Sequence, residues 1–368
     1  MQGPQRNRIL LAVLTLVAVS VVFTFSATAD DPRQLRVLIK HLGSILIGLG
    51  ALFALARVDF RSLRRFAGPL FFLSILALIA VLAFGARING ARRWFLLGPV
   101  SVQPSEFAKI AFVLFFADYF CRKRERVRES FLSLLTVLLP GALFLPLLVF
   151  EPDIGTTILL SCVLLFLLVV AGCRIKHLLV TAGVLAVVVA SILLTSSHAS
   201  KRLDSFLSGR HDYQVSQALI ALGSGGPFGR GLGEGFQKLH YVPLATTDFA
   251  FAVIGEEGGF LMSLVLLGCY VLFALAGFNV AMRCRDLFGK LLASGLTALV
   301  SLQAFVNLGV VCGVLPNKGI ALPFVSAGGS AMVAMLAAVG VLLSVDAVAE
   351  TESEPRLIGG RLIGEGAP

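Results

Sequence analysis

Ten runs of mainly apolar residues follow one another along this chain, and each is close to the length that crosses a bilayer. A membrane-spanning helix needs about 20 such residues, because lipid offers the backbone no hydrogen-bond partners. The composition agrees, since 57% of the 368 residues are hydrophobic and only 14% are charged. The pattern predicts an all-α polytopic membrane protein with helices at about 9–29, 38–56, 67–86, 105–121, 131–150, 155–172, 178–196, 248–275, 291–312 and 322–347.

Lysine and arginine residues are concentrated in short loops on one side of this predicted bundle. The clearest examples are Arg64 and the run RKRERVR at 122–128. Because basic short loops stay in the cytoplasm, we expect both termini to be cytoplasmic. The first apolar run lacks a small-residue cleavage site before Asp30 and is interpreted as a retained helix. The predicted organisation is one transmembrane domain at 1–347 and a polar, disordered cytoplasmic tail at 348–368.

Two segments on the outer side are too long to be simple connections: 87–104 and, between the seventh and eighth helices, about 197–247. The second carries a net positive charge, from Lys201, Arg202, Arg210, Arg230 and Lys238 against Asp204, Asp212 and Glu234. A positive outer loop suits an anionic ligand such as a phosphate-bearing lipid. Anchoring to anionic headgroups explains the charge equally well. The basic clusters alternate with apolar spans, so we do not expect nucleic acid as a partner.

The outer loop contains GSGGPFGRGLGEG at 223–235, with seven glycines in thirteen residues. A nucleotide-binding glycine motif needs a preceding strand within a βαβ unit, and the sequence predicts no such unit here. We therefore expect a backbone that bends closely around a ligand or a neighbouring helix.

Ionisable residues inside apolar spans cost about 2.5–3.5 kcal/mol each on insertion scales, which makes them candidate functional residues. Glu106 and Lys109 are three residues apart on one helical face, where they can form an ion pair. The pair either fixes helix packing or forms a polar floor beneath an outward-facing cavity. Asp153, in EPDIGTT at 151–157, either caps the following helix or adds to that polar region.

Three acids lie in TDFAFAVIGEE at 247–257. Asp248 precedes an apolar run, a position that suits a helix N-cap and equally a carboxylate that water and a lipid headgroup can reach. Glu256 lies about 12 Å deeper along the helix, and Glu257 faces away from Asp248. The three acids therefore do not form one cluster. We expect Glu256 or Glu257 to pair with another helix, with Lys109 as the first candidate.

Five ordered segments carry a resemblance to a known family. They are NGARRWFLLGPVSVQPSEFAK (89–109), EPDIGTT (151–157), GRGLGEGFQKLHYVP (229–243), TDFAFAVIGEE (247–257) and LPNKGIALPFVSAGGS (315–330). The chain resembles the SEDS family of polytopic cell-wall glycosyltransferases from about residue 9 to 347. The residues GRGLG…QKL (229–239) and the Lys318–Gly319 pair are more similar to the division-associated FtsW branch than to the elongation branch that contains RodA.

The resemblance implies polymerisation of the lipid-linked cell-wall precursor lipid II at the outer face of the bacterial inner membrane, in septal wall synthesis. It implies Asp248 as the catalytic residue and a divalent cation, Mg²⁺ or Mn²⁺, near it, with no ligand set assigned and no organic cofactor. Besides lipid II and glycan linked to undecaprenyl pyrophosphate, it implies a class B penicillin-binding protein and other division proteins as partners. The residues assigned to substrate binding are Arg92, Arg93, Trp94, Gln103, Ser105, Arg210, Gln237, Lys238, Lys318, Ser326 and Ser330. Those assigned to a polar cavity are Glu106, Lys109, Asp153, Glu256 and Glu257.

The chain departs from the usual family pattern at four positions. Leu244 and Thr246 replace an acid and a histidine, Ala327 replaces a tyrosine, and Glu151 stands where glutamine is common. Two other functions stay open at this point: a flippase for lipid II and a non-catalytic scaffold that recruits a division transpeptidase. The polar motifs lie at the outer face rather than at the midplane where many transporters bind substrate, which favours the enzyme.

Overall fold

The computed structural model describes residues 3–28, 35–88, 90–98, 100–129, 131–195, 206, 208, 212–235, 247–353, 357–358 and 361–362. The helices are α1 (Pro4–Thr28), α2 (Leu35–Ala56), α3 (Phe60–Leu63), α4 (Ala67–Phe84), α5 (Pro104–Arg122), α6 (Arg124–Glu129), α7 (Phe131–Phe150), α8 (Ile154–Val170), α9 (Ile175–Thr195), α10 (Tyr213–Gly225), α11 (Ala250–Arg283), α12 (Leu287–Val311) and α13 (Gly329–Ser353). The strands are β1 (Ala86–Ile88), β2 (Ala91–Leu97), β3 (Val100–Val102), β4 (Leu357–Ile358) and β5 (Arg361–Leu362).

Every predicted apolar run overlaps one of these helices. Among the described residues, six helical segments are long and apolar enough to cross a membrane, namely α1, α2, the continuous stretch Phe60–Phe84, α11, α12 and α13. Shorter apolar helices cover Leu134–Phe150, Ile154–Val170 and Ile175–Ser191. The predicted helical, multi-pass membrane fold is therefore confirmed.

Two local expectations are wrong. The last helix begins at Gly329 rather than at 322, because Pro323 and Phe324 belong to a buried loop in which Phe324 has a φ of 64°. In addition, the outer segment after α4 forms a three-stranded antiparallel sheet in the order β1-β2-β3, within a protein predicted to be all helical. Gly90 and Gly98 supply positive φ angles of 83° and 62° at the two reversals of that sheet.

Glycine and phenylalanine residues hold the bundle together. A Cβ on Gly48 of α2 would lie 2.6 Å from Leu336 Cδ1 of α13, so these two helices pack with their backbones close together. A separate aromatic cluster joins α4, α5 and α7, where the ring centroid of Phe144 lies 5.2 Å from those of both Phe71 and Phe112. α12 lies at the centre, with most of its length buried between α5, α8, α11 and α13.

The helix α11 is interrupted at Gly259, whose φ and ψ are 71° and −169°. The segment 226–231 supplies hydrogen-bond partners for the main-chain groups that the interruption leaves unpaired within the helix. The carbonyl groups of Glu256 and Glu257 accept hydrogen bonds from Arg230 N and Gly231 N, at 3.0 and 3.1 Å. The N–H groups of Phe260 and Leu261 donate to the carbonyls of residues 226 and 227, at 2.9 and 3.2 Å. The glycine-rich segment thus takes the place of two intrahelical hydrogen bonds, from Phe260 N to Glu256 O and from Leu261 N to Glu257 O, and this confirms the expected close approach to a neighbouring helix.

Basic residues lie at the end of the bundle opposite to the one where α11 begins. There Arg64 Nε donates to Asp118 Oδ1 at 2.6 Å, and Arg122 pairs with the same carboxylate from one turn further along α5. Asp286 caps α12 by accepting from Gly289 N at 3.1 Å. These contacts fix the loops of the face that the distribution of arginines predicts to be cytoplasmic.

Candidate functional site

Asp248 lies in a turn, 247–249, that leads directly into α11. The N-cap of that helix is the next residue, Phe249, so the capping role that sequence position allowed does not describe Asp248. The ring of Phe249 is buried and anchors the turn, whereas Asp248 keeps part of its surface exposed. Asp248 thus lies at the boundary between the protein interior and its surface.

The loop between α12 and α13 wraps around this turn. Ser326 Oγ donates to the carbonyl of Thr247 at 2.5 Å and accepts from Leu322 N at 2.8 Å. From α12, Asn307 Nδ2 donates to the carbonyls of both Asp248 and Ile320, at 2.8 and 2.7 Å. The main chain on either side of the Asp248 carboxylate is therefore fixed by buried side chains.

At Gly319 this loop passes close to the carboxylate. A Cβ at Gly319 would lie 3.0 Å from Asp248 Oδ2, which is tighter than ordinary van der Waals contact. Its neighbour Lys318 is half-buried, and its Cβ lies within 3.7 Å of the Cβ position of Gly155 at the start of α8. The segments 151–157, 247–257 and 315–330, three of the five that carry the family resemblance, thus meet around Asp248.

A second polar chain leads from α5 to the same loop. Lys109 Nζ lies 2.8 Å from Glu106 Oε2, so the ion pair that the spacing allowed is present and almost fully buried. Lys109 also donates to Gln303 Oε1 at 2.8 Å, and Gln303 Nε2 donates to the carbonyl of Ala321 at 2.9 Å. Of the two alternatives for the pair, this geometry favours a support that fixes helices and loop.

Glu256 and Glu257 lie apart from this chain, and the expected partnership with Lys109 is wrong. Glu257 Oε2 accepts from Ser26 Oγ of α1 at 2.6 Å, and Ser224 Oγ lies 3.5 Å from Glu256 Oε1. Both acids are buried beneath the glycine-rich segment. Lys109 is instead held by its own helix and by α12, which the sequence could not reveal because those contacts depend on tertiary packing.

Arg92 and Arg93, predicted to contact phosphate or sugar, hold main-chain carbonyls at helix ends. Arg92 donates to the carbonyl of Ala83 at 3.0 Å, near the C-terminus of α4. Arg93 donates to the carbonyls of Glu151 and Pro152, at 2.7 and 2.6 Å. Both guanidinium groups stay partly exposed and have further N–H groups, so their role toward an anionic substrate stays a prediction.

The remaining predicted binding residues occupy different environments. Trp94 is half-buried in β2 opposite Ala86. Gln103 is the N-cap residue of α5, and its N–H donates to Ser330 Oγ at 3.0 Å. Ser105 is 1% exposed, and Ser326 and Ser330 are also buried with their hydroxyl groups bonded to main chain. Arg210, Gln237, Lys238, Leu244 and Thr246 lie outside the described residues.

The turn between α7 and α8 contains two buried acids. Asp153 Oδ1 accepts from Thr156 N at 3.2 Å, so the capping alternative for Asp153 is confirmed. Glu151 is completely buried, and neither carboxylate oxygen has a hydrogen-bond partner among the described residues. The pKa of Glu151 is raised to about 8, mainly by burial and also by the charge of Asp153, while Arg93 opposes the change. A protonated Glu151 is close in shape and charge to the glutamine that is common at this position.

The described residues offer little to hold a metal ion by themselves. Within the ranges that the structure describes, no three His, Cys, Asp or Glu side chains come together as a metal site. A cation near Asp248 would therefore depend on that carboxylate and on substrate phosphates, which is how Mg²⁺ is commonly bound. The cation stays a prediction.

Two residues that contact the site were not predicted from the sequence. Gln303 and Asn307 are amides four residues apart on α12, and each is almost fully buried. Their spacing within an apolar span places them on one helical face, and that pattern is the signal that could have identified them.

Comparison with known proteins agrees with this arrangement. A family model described as "Cell cycle protein", which covers FtsW, RodA and SpoVE, matches residues 6–351. Proteins named probable peptidoglycan glycosyltransferase FtsW are similar, including one from Thioalkalivibrio sulfidiphilus (39% identical; 97% of this chain and 93% of that protein) and one from Trichlorobacter lovleyi (37% identical; 92% of each).

Solved structures show the same fold. A chain of a peptidoglycan synthase complex, studied for its coordination of polymerisation and crosslinking, superposes with a TM-score of 0.78 at 30% identity. The match covers 93% of this chain and 97% of that one. The rod shape determining protein RodA of Thermus thermophilus gives a TM-score of 0.68 at 31% identity, over 92% and 95% of the two chains. The chain therefore belongs to the FtsW, RodA and SpoVE family of cell cycle proteins, multi-pass proteins of the bacterial inner membrane.

Proposed function

We propose that this protein is a peptidoglycan glycosyltransferase that polymerises lipid II at the outer face of the inner membrane, with Asp248 as its general base. The observation that carries the proposal is the partly exposed Asp248 residue, held at the junction of three family segments. The names of the curated relatives, probable peptidoglycan glycosyltransferase FtsW, support the reaction class. The resemblance to the division-associated branch supports a role in septal wall synthesis.

The proposed reaction is a displacement at the anomeric carbon of the growing chain. The 4-hydroxyl group of the acceptor sugar attacks this carbon, and its proton passes to the Asp248 carboxylate. The bond from that carbon to the oxygen of undecaprenyl pyrophosphate breaks, and the pyrophosphate departs with the electron pair. The anomeric configuration inverts. One carboxylate is sufficient as base, because the leaving pyrophosphate is already a weak base that needs charge stabilisation rather than a proton.

Basic side chains near the Asp248 turn can supply the positive charge that the leaving pyrophosphate needs. Lys318 precedes Gly319, whose Cβ position lies 3.0 Å from Asp248 Oδ2, and Arg93 lies at the α7–α8 turn that precedes Gly155. Positive charge at these positions can stabilise a pyrophosphate leaving group. We include a divalent cation, Mg²⁺ or Mn²⁺, in the proposal as a further source of charge, and no step above depends on it.

Orientation and partners complete the proposal. Arg64 and the basic cluster at 122–128 lie at the end of the bundle away from Asp248, and by the positive-inside rule this supports an outer-side position for Asp248. The similarity to a chain of a synthase complex that couples polymerisation with crosslinking supports a crosslinking partner. We propose that this partner is a class B penicillin-binding protein.

A single assay with purified protein distinguishes the proposed enzyme from a flippase and from a scaffold. The protein is reconstituted in vesicles with lipid II, and glycan chains and lipid movement are both measured. We expect glycan from the native protein, none above background from Asp248→Asn, and native levels from Glu234→Gln, which changes an exposed acid of the glycine-rich segment. Lipid movement without glycan would instead identify a flippase. Neither activity, with binding of a transpeptidase retained, would identify a scaffold.

A further inference from the structure

One buried carboxamide on α12 connects the two segments that enclose the Asp248 carboxylate. Asn307 is 2% exposed. Its Nδ2 group has two hydrogens and two acceptors, the carbonyl of Asp248 at 2.8 Å and the carbonyl of Ile320 at 2.7 Å. The turn before α11 and the loop after α12 are therefore bonded to the same nitrogen atom.

Both acceptors belong to the main chain of the turn and the loop that meet at the carboxylate. The first is the main chain of Asp248, and the second belongs to the residue after Gly319, where a Cβ would lie 3.0 Å from Asp248 Oδ2. A shift of either carbonyl changes the distance between the carboxylate and the loop. Because a Cβ at Gly319 would already be closer to Oδ2 than ordinary van der Waals contact, small shifts of turn or loop change the space open to a substrate beside this oxygen.

The helix that carries Asn307 is itself held in place at this level. One turn earlier, Gln303 donates to the carbonyl of Ala321 at 2.9 Å and accepts from Lys109 Nζ at 2.8 Å. Lys109 is paired with Glu106 at 2.8 Å, so the carboxamide of Gln303 has a fixed orientation. Two successive loop carbonyls, those of Ile320 and Ala321, are thus held by two amides on one face of α12.

We propose that Asn307 is a positioning residue of the transferase, which sets the Asp248 carboxylate against the 315–328 loop by holding main-chain carbonyls on both sides of it. This inference rests on the proposed function. Few other side chains of this size can donate to two carbonyls at once. Leucine has a similar shape without donors, aspartate has acceptors only, and serine has a single donor.

The alternative is a purely structural role, in which Asn307 only donates hydrogen bonds to two buried carbonyl groups. Leaving these unbonded would then lower stability without changing the chemistry of the folded molecule. A matched control for this alternative is Leu296→Ala, which truncates a buried residue of the same helix away from the site and also destabilises the protein.

The test compares native protein, Asn307→Leu, Asn307→Ser and Leu296→Ala in glycan synthesis from lipid II, with kcat and KM corrected for the folded fraction. We expect Asn307→Leu to lower kcat about 100-fold, as misplacement by about 1 Å can do, with KM for lipid II changed less than about twofold. Asn307→Ser, which keeps one donor, should fall between it and native and also covers the case in which the leucine variant does not fold. Leu296→Ala should keep the native kcat.

Hydrogen exchange supplies a readout that does not need activity. We expect faster exchange at 247–250 and 319–322 in Asn307→Leu and not in Leu296→Ala. Suppose that the native protein is active and that Asn307→Leu has the same kcat and exchange pattern as Leu296→Ala. That result would overturn the positioning role alone. If Asn307→Leu does not fold, the same comparison is made with Asn307→Ser. A native protein that makes no glycan while exchange changes as expected would overturn the proposed function and leave only the link between turn and loop.

Discussion

Replacing Gly229 by alanine should disrupt the packing and the hydrogen bonds between the glycine-rich segment and α11. Gly229 has a φ of 82°, and a Cβ there would overlap the carbonyl oxygen of Glu257. The clash pushes the segment away from the interrupted helix and threatens the four hydrogen bonds that replace the missing helical ones, made by Arg230 N, Gly231 N, Phe260 N and Leu261 N.

The expected loss can be separated into two contributions. Alanine in the left-handed region costs about 1–2 kcal/mol by itself. Four hydrogen bonds at a net of about 1 kcal/mol each add roughly 4 kcal/mol, a large fraction of the total stability of about 5–15 kcal/mol that domains have. Gly233→Ala isolates the first contribution, because Gly233 has a φ of 88° and a Cβ there would meet nothing within 4 Å.

Thermal unfolding in detergent, followed by circular dichroism, measures the difference. Gly233→Ala should lower the midpoint slightly and Gly229→Ala several times as much. Hydrogen exchange should also become faster at residues 259–262 in Gly229→Ala only. Equal shifts for the two variants would refute the reasoning, since the close approach would then contribute nothing.

Two further predictions concern the site and its surroundings. Gly319→Ala places a methyl group 3.0 Å from Asp248 Oδ2 and should lower the rate of glycan synthesis about tenfold. The control is Gly329→Ala, whose Cβ would meet no neighbouring group within 4 Å and which should keep the native rate. Equal rates for the two variants would contradict a close approach of residue 319 to the Asp248 carboxylate. Glu151 has its pKa raised from 4.5 to about 8, so the native state keeps a proton that the unfolded chain releases between these values. Stability relative to Glu151→Gln should therefore fall by about 1.4 kcal/mol per pH unit as pH rises from about 5 to 8. Unfolding midpoints across that range check this, and a gap independent of pH would contradict it.

The helices could be predicted because their signal is local. A run of about 20 apolar residues has few stable alternatives in lipid, so the bundle follows from hydropathy. The same signal failed at 322–328, since Leu322, Phe324 and Val325 are apolar but buried in protein rather than in lipid. Hydropathy does not distinguish those two environments.

The site could be predicted only in part, for a similar reason. The Glu106–Lys109 pair follows from spacing along one helix, and the capping role of Asp153 follows from its position before a helix. The contacts of Gln303 and Asn307 join residues far apart in the chain, so no local pattern specifies their acceptors. The small sheet was missed although Asn89–Gly90 is a strong hairpin signal.

The central claim is that one carboxylate, that of Asp248, accepts the proton of the attacking hydroxyl group. The most direct test is the initial rate of glycan formation from lipid II by purified Asp248→Asn, corrected for folded protein and compared with native and Glu234→Gln. Loss of a general base predicts a rate at least about 100-fold below native for Asp248→Asn, with Glu234→Gln unchanged. Chain growth by a folded Asp248→Asn protein at the native rate would contradict the claim.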